Sequence, residues 1–155
     1  MQKRHSSPDC DQGNQLCKML VIDDDVAFGR LLAAIGSARG FRSEHFSSLM
    51  DLGYFARIKD FDVAILDFYL ETVRGDEIAT YVDTFFCDTP VIIISSENFH
   101  LKADYKWPNS VKEFLHKKVG PERIIDAAAK IVARNVLLKR FSRRTENKAE
   151  ESVNP

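Results

Sequence analysis

The sequence has few cysteines and no long apolar run, and each absence excludes a class of protein. Its three cysteines, Cys10, Cys17 and Cys87, are odd in number and lack the spacing of a zinc-ligand set. We therefore interpret them as free thiols in a reducing compartment. No apolar stretch approaches the ~20 residues needed to cross a bilayer, and the polar residues 1–15 contain no apolar secretory core. We expect a cytoplasmic protein with no membrane partner.

A large excess of charge of one sign is also missing, because the formal net charge is -1. A generally basic surface, which nucleic-acid binders use to neutralise phosphates, is therefore excluded, and no specific DNA binding is expected. A chain of 155 residues has room for one domain with a stable core. We expect that domain over residues 16–140, between a flexible leader at 1–15 and a flexible charged tail at 141–155.

Short apolar runs alternate with segments that have the period of a helix. Apolar residues between Phe28 and Ile35 share one helical face, Gly40 is a helix-stop signal, and Pro121 suits the first turn of a final helix. Further helices are predicted over about 49–58 and, less clearly, over 97–107. The runs between the helices are too apolar to face water on either side. This pattern predicts an α/β fold, a doubly wound five-stranded parallel sheet with helices on both faces.

Polar side chains stand where these apolar runs end. They are Asp23, Asp24 and Asp25 after the first run, Asp67 after the third, Ser95 at the end of the fourth, and Lys117 after the fifth. The carboxyl ends of parallel strands lie at the same edge of the sheet. Ligands bind at this edge, at the point where the strand order reverses. In the order 2-1-3-4-5 that point lies between the first and third strands. Clustered carboxylates repel one another unless a cation holds them, and oxygen ligands alone favour magnesium over zinc. The sequence thus predicts a site for Mg2+ and a phosphoryl group.

Asp67 is the acid at the end of the predicted central strand, so it is the candidate nucleophile. A carboxylate that attacks phosphorus forms an acyl phosphate. Phosphoryl transfer then requires mainly positioning and charge neutralisation. Lys117 would supply a positive charge beside the metal, and the Ser95 hydroxyl a hydrogen bond. Asp25 is interpreted as a helix-start residue that complements the helix macrodipole, rather than as a metal ligand.

Over about residues 17–138 the chain resembles the receiver domain of bacterial two-component response regulators, of the single-domain type. Four segments carry the resemblance, namely Lys18–Asp25, Ala64–Leu70 followed by Gly75, Pro90–Ser96 and Phe114–Lys117. Each segment alone is a weak signal. Their order and compatible spacing make the resemblance specific.

The resemblance implies a metal site and a phosphorylated residue. Asp67 would be the residue that accepts the phosphoryl group and would also bind Mg2+. Asp24 would bind the metal directly, and Asp23 would assist through a metal-bound water. The backbone carbonyl of Tyr69 would be the remaining protein ligand.

The resemblance also implies a switch and a set of partners. Ser95 would turn toward the phosphoryl group, Lys117 would contact it, and Phe114 occupies the aromatic switch position. The implied donor is a histidine kinase or a histidine phosphotransfer protein of a two-component system or phosphorelay. Apart from self-catalysed phosphoryl acceptance and slow autodephosphorylation, no enzyme activity is expected. An unknown output protein would bind the surface of the fourth helix, fifth strand and fifth helix, and a homodimer is left open.

Four features depart from the family pattern. Lys118 and Glu71 stand where proline is usual, Ser96 where a small apolar residue is common, and Tyr105–Pro108 replaces the usual end of the fourth helix. These departures keep open an alternative hypothesis, a receiver-like binding module that works without phosphorylation, although the intact acid pair, Asp67, Ser95 and Lys117 argue against it. A third hypothesis, a small phosphatase with an aspartate nucleophile, requires a second acid where Tyr69 stands and is ranked last.

Overall fold

The computed structural model describes residues 16–85, 88–97 and 104–151, with side chains as far as Glu146. Its strands are β1 (Lys18–Ile22), β2 (Arg42–Phe46), β3 (Val63–Asp67), β4 (Val91–Ser95) and β5 (Val111–His116). All neighbouring strands pair in parallel, in the order β2-β1-β3-β4-β5. The α-helices of this part of the chain are α1 (Val26–Ala38), α2 (Gly75–Phe85) and α3 (Pro121–Glu151). The predicted fold class and strand order are confirmed, and the predicted leader at 1–15 lies outside the described residues.

The core forms two layers because successive side chains of a strand point to opposite faces of the sheet. Met19 and Val21 of β1 belong to the cluster that includes buried residues of α1 and α3. Leu20 and Ile22 belong to the cluster that includes buried residues of α2. Burial of such a side chain stabilises the fold by roughly 1.5–3 kcal/mol. The central strands are therefore fixed in register, and so are the residues at their carboxyl ends.

Helix α1 begins and ends at the residues that its sequence signals indicate. Asp25 is the N-cap, and its carboxylate accepts a hydrogen bond from the Phe28 N–H at 3.1 Å. Gly40 follows the helix with a φ of 92°. Leu32 is buried as predicted, whereas Leu31, which was predicted on the same apolar face, is 46% exposed. The interpretation of Asp25 as a helix-start residue is confirmed.

The predicted α-helix over about 49–58 is wrong. A 3-10 helix occupies Phe55–Asp60 instead. Gly53 has a φ of 92°, which a helix cannot contain, and so it separates the preceding turn from the 3-10 helix. The predicted helix over 97–107 falls mostly on 98–103, outside the described residues.

The final helix runs beyond the apolar stripe that predicted it. It begins at Pro121 as expected, but it continues past Arg140 to Glu151. The residues after Arg140 include no proline or glycine until the helix ends, and many of them are good helix formers. The helix therefore extends into the segment predicted as a tail, and the flexibility of residues 141–155 stays a prediction. No helix in the described ranges, α3 included, has the length and apolar character to cross a membrane.

The sequence predicted a free thiol at Cys17, and this prediction is wrong because Cys17 forms a disulfide bond. It lies directly before β1 and is fully buried. Pairing depends on how close two Cα atoms come in the fold, which the spacing along the sequence does not reveal. The predicted reducing compartment and cytoplasmic location stay predictions.

Candidate functional site

The carboxyl ends of β1 and β3 bring three carboxylates together. The register pairs Ile22 with Leu66, so Asp23 and Asp67 emerge side by side. Oxygen atoms of Asp23, Asp24 and Asp67 lie within 4.8 Å of one another. Asp23 is fully buried and Asp67 is 6% exposed, whereas Asp24 is exposed. The structure thus brings together the acids that the sequence singled out, and Asp25 caps α1 outside this group.

Lys117 places an ammonium group against the two buried acids. Its Nζ lies 2.8 Å from Asp23 Oδ2, 3.2 Å from Asp67 Oδ2 and 5.2 Å from the ring centroid of Phe28. Burial alone would lower the pKa of Lys117, but the hydrogen bond and charge of Asp23, together with Asp67, outweigh burial and raise it. The lysine is therefore a fixed positive charge at neutral pH. The Lys117–Lys118 peptide bond is trans, as are the other peptide bonds in the described residues.

The Asp67 carboxyl group is nearly buried and has a raised pKa. Burial raises the pKa of its carboxyl group to about 6, and repulsion from Asp23 adds to the rise. Lys117 and the Tyr69 N–H, 3.4 Å from Asp67 Oδ1, oppose this rise without cancelling it. At pH 7 most of the carboxyl groups are still ionised. An ionised, poorly solvated carboxylate is a competent nucleophile.

The donor set fits a divalent cation. Asp23 Oδ2 is buried and accepts no hydrogen bond from the residues that the structure describes, although the Lys117 ammonium lies 2.8 Å from it. Asp24 is exposed, so solvent can reach the cluster. All the donors are carboxylate oxygens, which Mg2+ prefers, and a bound cation would relieve their mutual repulsion. Asp23, Asp24 and Asp67 could hold the ion, while the ligand role of the Tyr69 carbonyl stays a prediction.

Gly75 allows α2 to begin against the backbone of Asp67. The Gly75 N–H donates to the Phe68 carbonyl at 2.9 Å. A Cβ atom at position 75 would lie 2.5 Å from the Asp67 carbonyl oxygen, a contact that backbone atoms cannot avoid by rotation. The glycine is therefore a steric requirement of the site.

Ser95 ends β4, and Phe114 lies within β5 and belongs to a group of aromatic rings. Ser95 is fully buried, and its Oγ accepts a hydrogen bond from the Glu97 N–H at 3.1 Å. Phe114 is half-buried and stacks on Trp107, with ring centroids 5.4 Å apart. Trp107 in turn meets Phe68, the residue after Asp67, edge-on at 6.3 Å. Phe114 is thus connected through Trp107 to the residue that follows Asp67, while the switch roles of Ser95 and Phe114 stay predictions.

A polar network fixes the same rings to the start of α2. The Tyr105 hydroxyl donates to the Asp76 carboxylate. Arg74 Nε donates to Asp76 Oδ1 at 2.9 Å, and the guanidinium carbon lies 4.8 Å from the Phe68 ring centroid. Burial alone would raise the pKa of Asp76, but the hydrogen bonds from Arg74 and Tyr105 outweigh it and lower the pKa. We refer to these rings as the aromatic group, which consists of Phe68, Tyr105, Trp107 and Phe114.

Sequence reasoning missed the residues of β2 that contact the acid loop. The Asp23 N–H donates to the Phe46 carbonyl at 3.1 Å. His45 Nε2 lies 2.9 Å from the Asp23 carbonyl oxygen. One signal was available, because His45 stands near the carboxyl end of the predicted second strand, beside the strand that ends in the acids.

The fold and the acid edge define a doubly wound α/β protein with a site suited to a divalent cation. The family described as the response regulator receiver domain matches residues 19–129. The chain therefore belongs to the receiver domain family, as its sequence resemblance predicted. A search of curated protein sequences returns no match.

Solved receiver structures share the fold. A CheY-like response regulator receiver domain protein from Methanospirillum hungatei is 17% identical, with a TM-score of 0.68 over 78% of this chain and 97% of that chain. The signal receiver domain of a putative Luxo repressor protein from Vibrio parahaemolyticus is 18% identical, with a TM-score of 0.67 over 82% of this chain and 98% of that chain. The response regulator TrrA from Thermotoga maritima, solved in complex with Mg2+-BeF, is 20% identical, with a TM-score of 0.64 over 75% of this chain and 99% of that chain. At such identities the likeness shows the fold alone.

Proposed function

We propose that this receiver domain accepts a phosphoryl group on Asp67 from a histidine kinase or a histidine phosphotransfer protein, with Mg2+ as cofactor, and signals through protein contacts. One observation carries the proposal, namely that the nearly buried Asp67 carboxylate adjoins both the Lys117 ammonium and two further acids. A nucleophile, a fixed cation and a set of metal ligands thus meet at one edge of the sheet.

In the proposed reaction an oxygen of Asp67 attacks the phosphorus atom of the donor. The new P–O bond forms as the bond from phosphorus to the donor histidine nitrogen breaks, and that nitrogen keeps the electron pair. Bound Mg2+ would supply charge neutralisation at the phosphoryl oxygens. Lys117 Nζ, which already lies 3.2 Å from Asp67 Oδ2, would form an ion pair with one of these oxygens. The Ser95 hydroxyl would donate a hydrogen bond to another.

The proposed output is a change of shape and not the turnover of a separate substrate. The acyl phosphate would be lost only by slow hydrolysis or by transfer to a phosphotransfer protein. Phe114 and Ser95 would respond to the phosphoryl group, and an output protein would bind near β5 and α3. The direct stacking of Phe114 on Trp107 supports this route, because Trp107 also meets the residue that follows Asp67.

Intact mass after incubation with a small phosphoryl donor tests the proposal. We expect one added phosphate in the presence of Mg2+, and none after chelation of Mg2+ or in Asp67→Asn. Asp25→Asn is the matched control, because asparagine preserves the N-cap and Asp25 is not in the metal cluster. Undiminished labelling of Asp67→Asn would refute the assignment of the acceptor.

A further inference from the structure

Strand β2 contributes no acid to the site, yet it holds the backbone of Asp23 at both its amide and its carbonyl. Phe46 accepts the Asp23 N–H at 3.1 Å, and His45 Nε2 contacts the Asp23 carbonyl oxygen at 2.9 Å. A carbonyl oxygen can only accept, so His45 Nε2 carries the proton and donates it. The Asp23 carbonyl belongs to the peptide plane between Asp23 and Asp24. The histidine therefore restrains the backbone from which both acids project.

Gly29 provides the space that the imidazole ring occupies. A Cβ atom on this buried glycine of α1 would lie 2.2 Å from His45 Nε2 and 2.3 Å from Cδ2. Glycine within a helix costs about 1 kcal/mol relative to alanine. The ring could evade a methyl group by turning, but it would then lose its bond to the Asp23 carbonyl. The glycine and the histidine thus depend on each other through one hydrogen bond.

We propose that Gly29 and His45 form a positioning pair that orients the Asp23–Asp24 peptide, and with it the two acids, for binding the divalent cation. The role of the cation rests on the function proposed above. Neither residue touches the reacting atoms, and both act through the backbone of Asp23. His45→Ala removes the donor and Gly29→Ala displaces it, so the two substitutions should have the same effect.

Titration calorimetry with MgCl2 measures this effect. We expect His45→Ala and Gly29→Ala each to weaken Mg2+ binding about fivefold, which corresponds to the loss of one hydrogen bond. The double variant should bind as weakly as either single variant, because the same bond is lost once. His45→Gln, which retains an N–H donor, should recover part of the affinity.

Gly36→Ala is the matched control on the same helix. A Cβ at Gly36 would meet Met19 Cε at 2.3 Å and Ser43 Oγ at 2.7 Å, so it disturbs the packing of α1 on the sheet without involving His45. A general loosening of α1 would weaken Mg2+ binding in this variant as well. The proposed pair requires unchanged affinity in Gly36→Ala and reduced affinity in Gly29→Ala.

The amide chemical shifts of metal-free protein provide a second measurement. The Asp24 N–H belongs to the restrained peptide, so its signal should move in both single variants, and the double variant should show no additional shift. If wild type binds Mg2+ and both single variants bind within about twofold of it, the positioning pair is refuted and the proposed function stands. If wild type binds no Mg2+, the proposed function fails, and the pair is then judged on the Asp24 shift. An unmoved Asp24 signal in both variants refutes the pair.

Discussion

The two sides of the carboxyl edge are stabilised by different forces. On the side of β1 and β3, Lys117 holds two buried acids by charge at distances of 2.8 and 3.2 Å. On the side of β4 and β5, stacked rings and hydrogen bonds to α2 fix the aromatic group. The acid side contains three charges of one sign against a single lysine, so it gains from a further cation, whereas the aromatic side is already satisfied by the protein's own contacts.

The segment before β5 shows how complete those contacts are. Asp83 of α2 accepts from the backbone N–H groups of Asn109 and Ser110, at 2.6 Å for Ser110. The Ser110 hydroxyl donates to the Ala79 carbonyl at 3.0 Å. A movement of the segment before β5 away from α2 must therefore break or shift these bonds. The carboxylates that could hold a metal ion are thus concentrated at the acid side, whereas the contacts between α2 and the segment before β5 are concentrated at the aromatic side.

Removal of the lysine should break the acid side most severely. Lys117→Met leaves two buried acids without a counter-charge and removes a cation from the phosphoryl oxygens. We expect phosphorylation by a small donor at saturating Mg2+ to slow about 100-fold, as for loss of one electrostatic stabiliser in an active site. Lys118→Met, at the exposed neighbouring position, is the control and should label at the wild-type rate. Equal rates for the two variants would disprove the role of Lys117.

Neutralisation of Asp67 should stabilise the metal-free protein in a pH-dependent way. Because burial raises the pKa of Asp67 to about 6, the stability associated with its protonated form is complete below the ordinary value of 3.8 and is lost as the pH rises through 6. Asp67→Asn should therefore raise the free energy of unfolding at pH 8 by up to about 3 kcal/mol and have little effect at pH 4. Urea unfolding at both pH values measures the difference. A gain that is the same at pH 4 and pH 8 would contradict the electrostatic account.

A single hydroxyl should matter less at the aromatic side. Tyr105→Phe removes the donor to Asp76 but leaves that acid its bonds to Arg74. We expect a loss of about 1 kcal/mol in the free energy of unfolding, with labelling unchanged. Trp107 is the only tryptophan of the chain and lies 5.0 Å from the Tyr105 ring, so its emission can follow the unfolding. Tyr81→Phe, at an exposed position of α2, is the control. A variant that labels as poorly as Lys117→Met would show that the two sides are not separate.

Tyr69 should set the lifetime of the acyl phosphate, with the smallest effect of the four. Tyr69 stands two residues after Asp67. Its side chain is 46% exposed and packs edge-on against Phe68. We expect it to hinder the approach of water, so Tyr69→Asn should lose phosphate several-fold faster at fixed Mg2+. Equal or slower loss in the variant would disprove steric exclusion by Tyr69.

The acid side could be predicted from the sequence because it depends on strand ends. In a parallel sheet of buried strands, the positions of Asp23 and Asp67 follow from where their apolar runs stop. The cap role of Asp25 followed from its place before a helical pattern. The approach of His45 to Gly29 could not be predicted, because it depends on how closely α1 packs on β2.

The aromatic side could not be predicted for the same reason. Trp107 and Phe114 are seven positions apart in the sequence, and their stacking requires the backbone between them to reverse onto the sheet. The disulfide of Cys17 also depends on tertiary proximity. The continuation of α3 to Glu151 is a local preference, but the high charge of this segment suggested a tail instead.

The most direct test of the account identifies the phosphorylated residue. Wild-type protein labelled in Mg2+ is reduced with borohydride, which converts an aspartyl phosphate to homoserine, and is then digested and sequenced by mass spectrometry. The account predicts homoserine at position 67 alone, with none in protein kept without donor. Homoserine at position 23 or 24, or a stable phosphate on a serine or histidine with Asp67 unmodified, would contradict it.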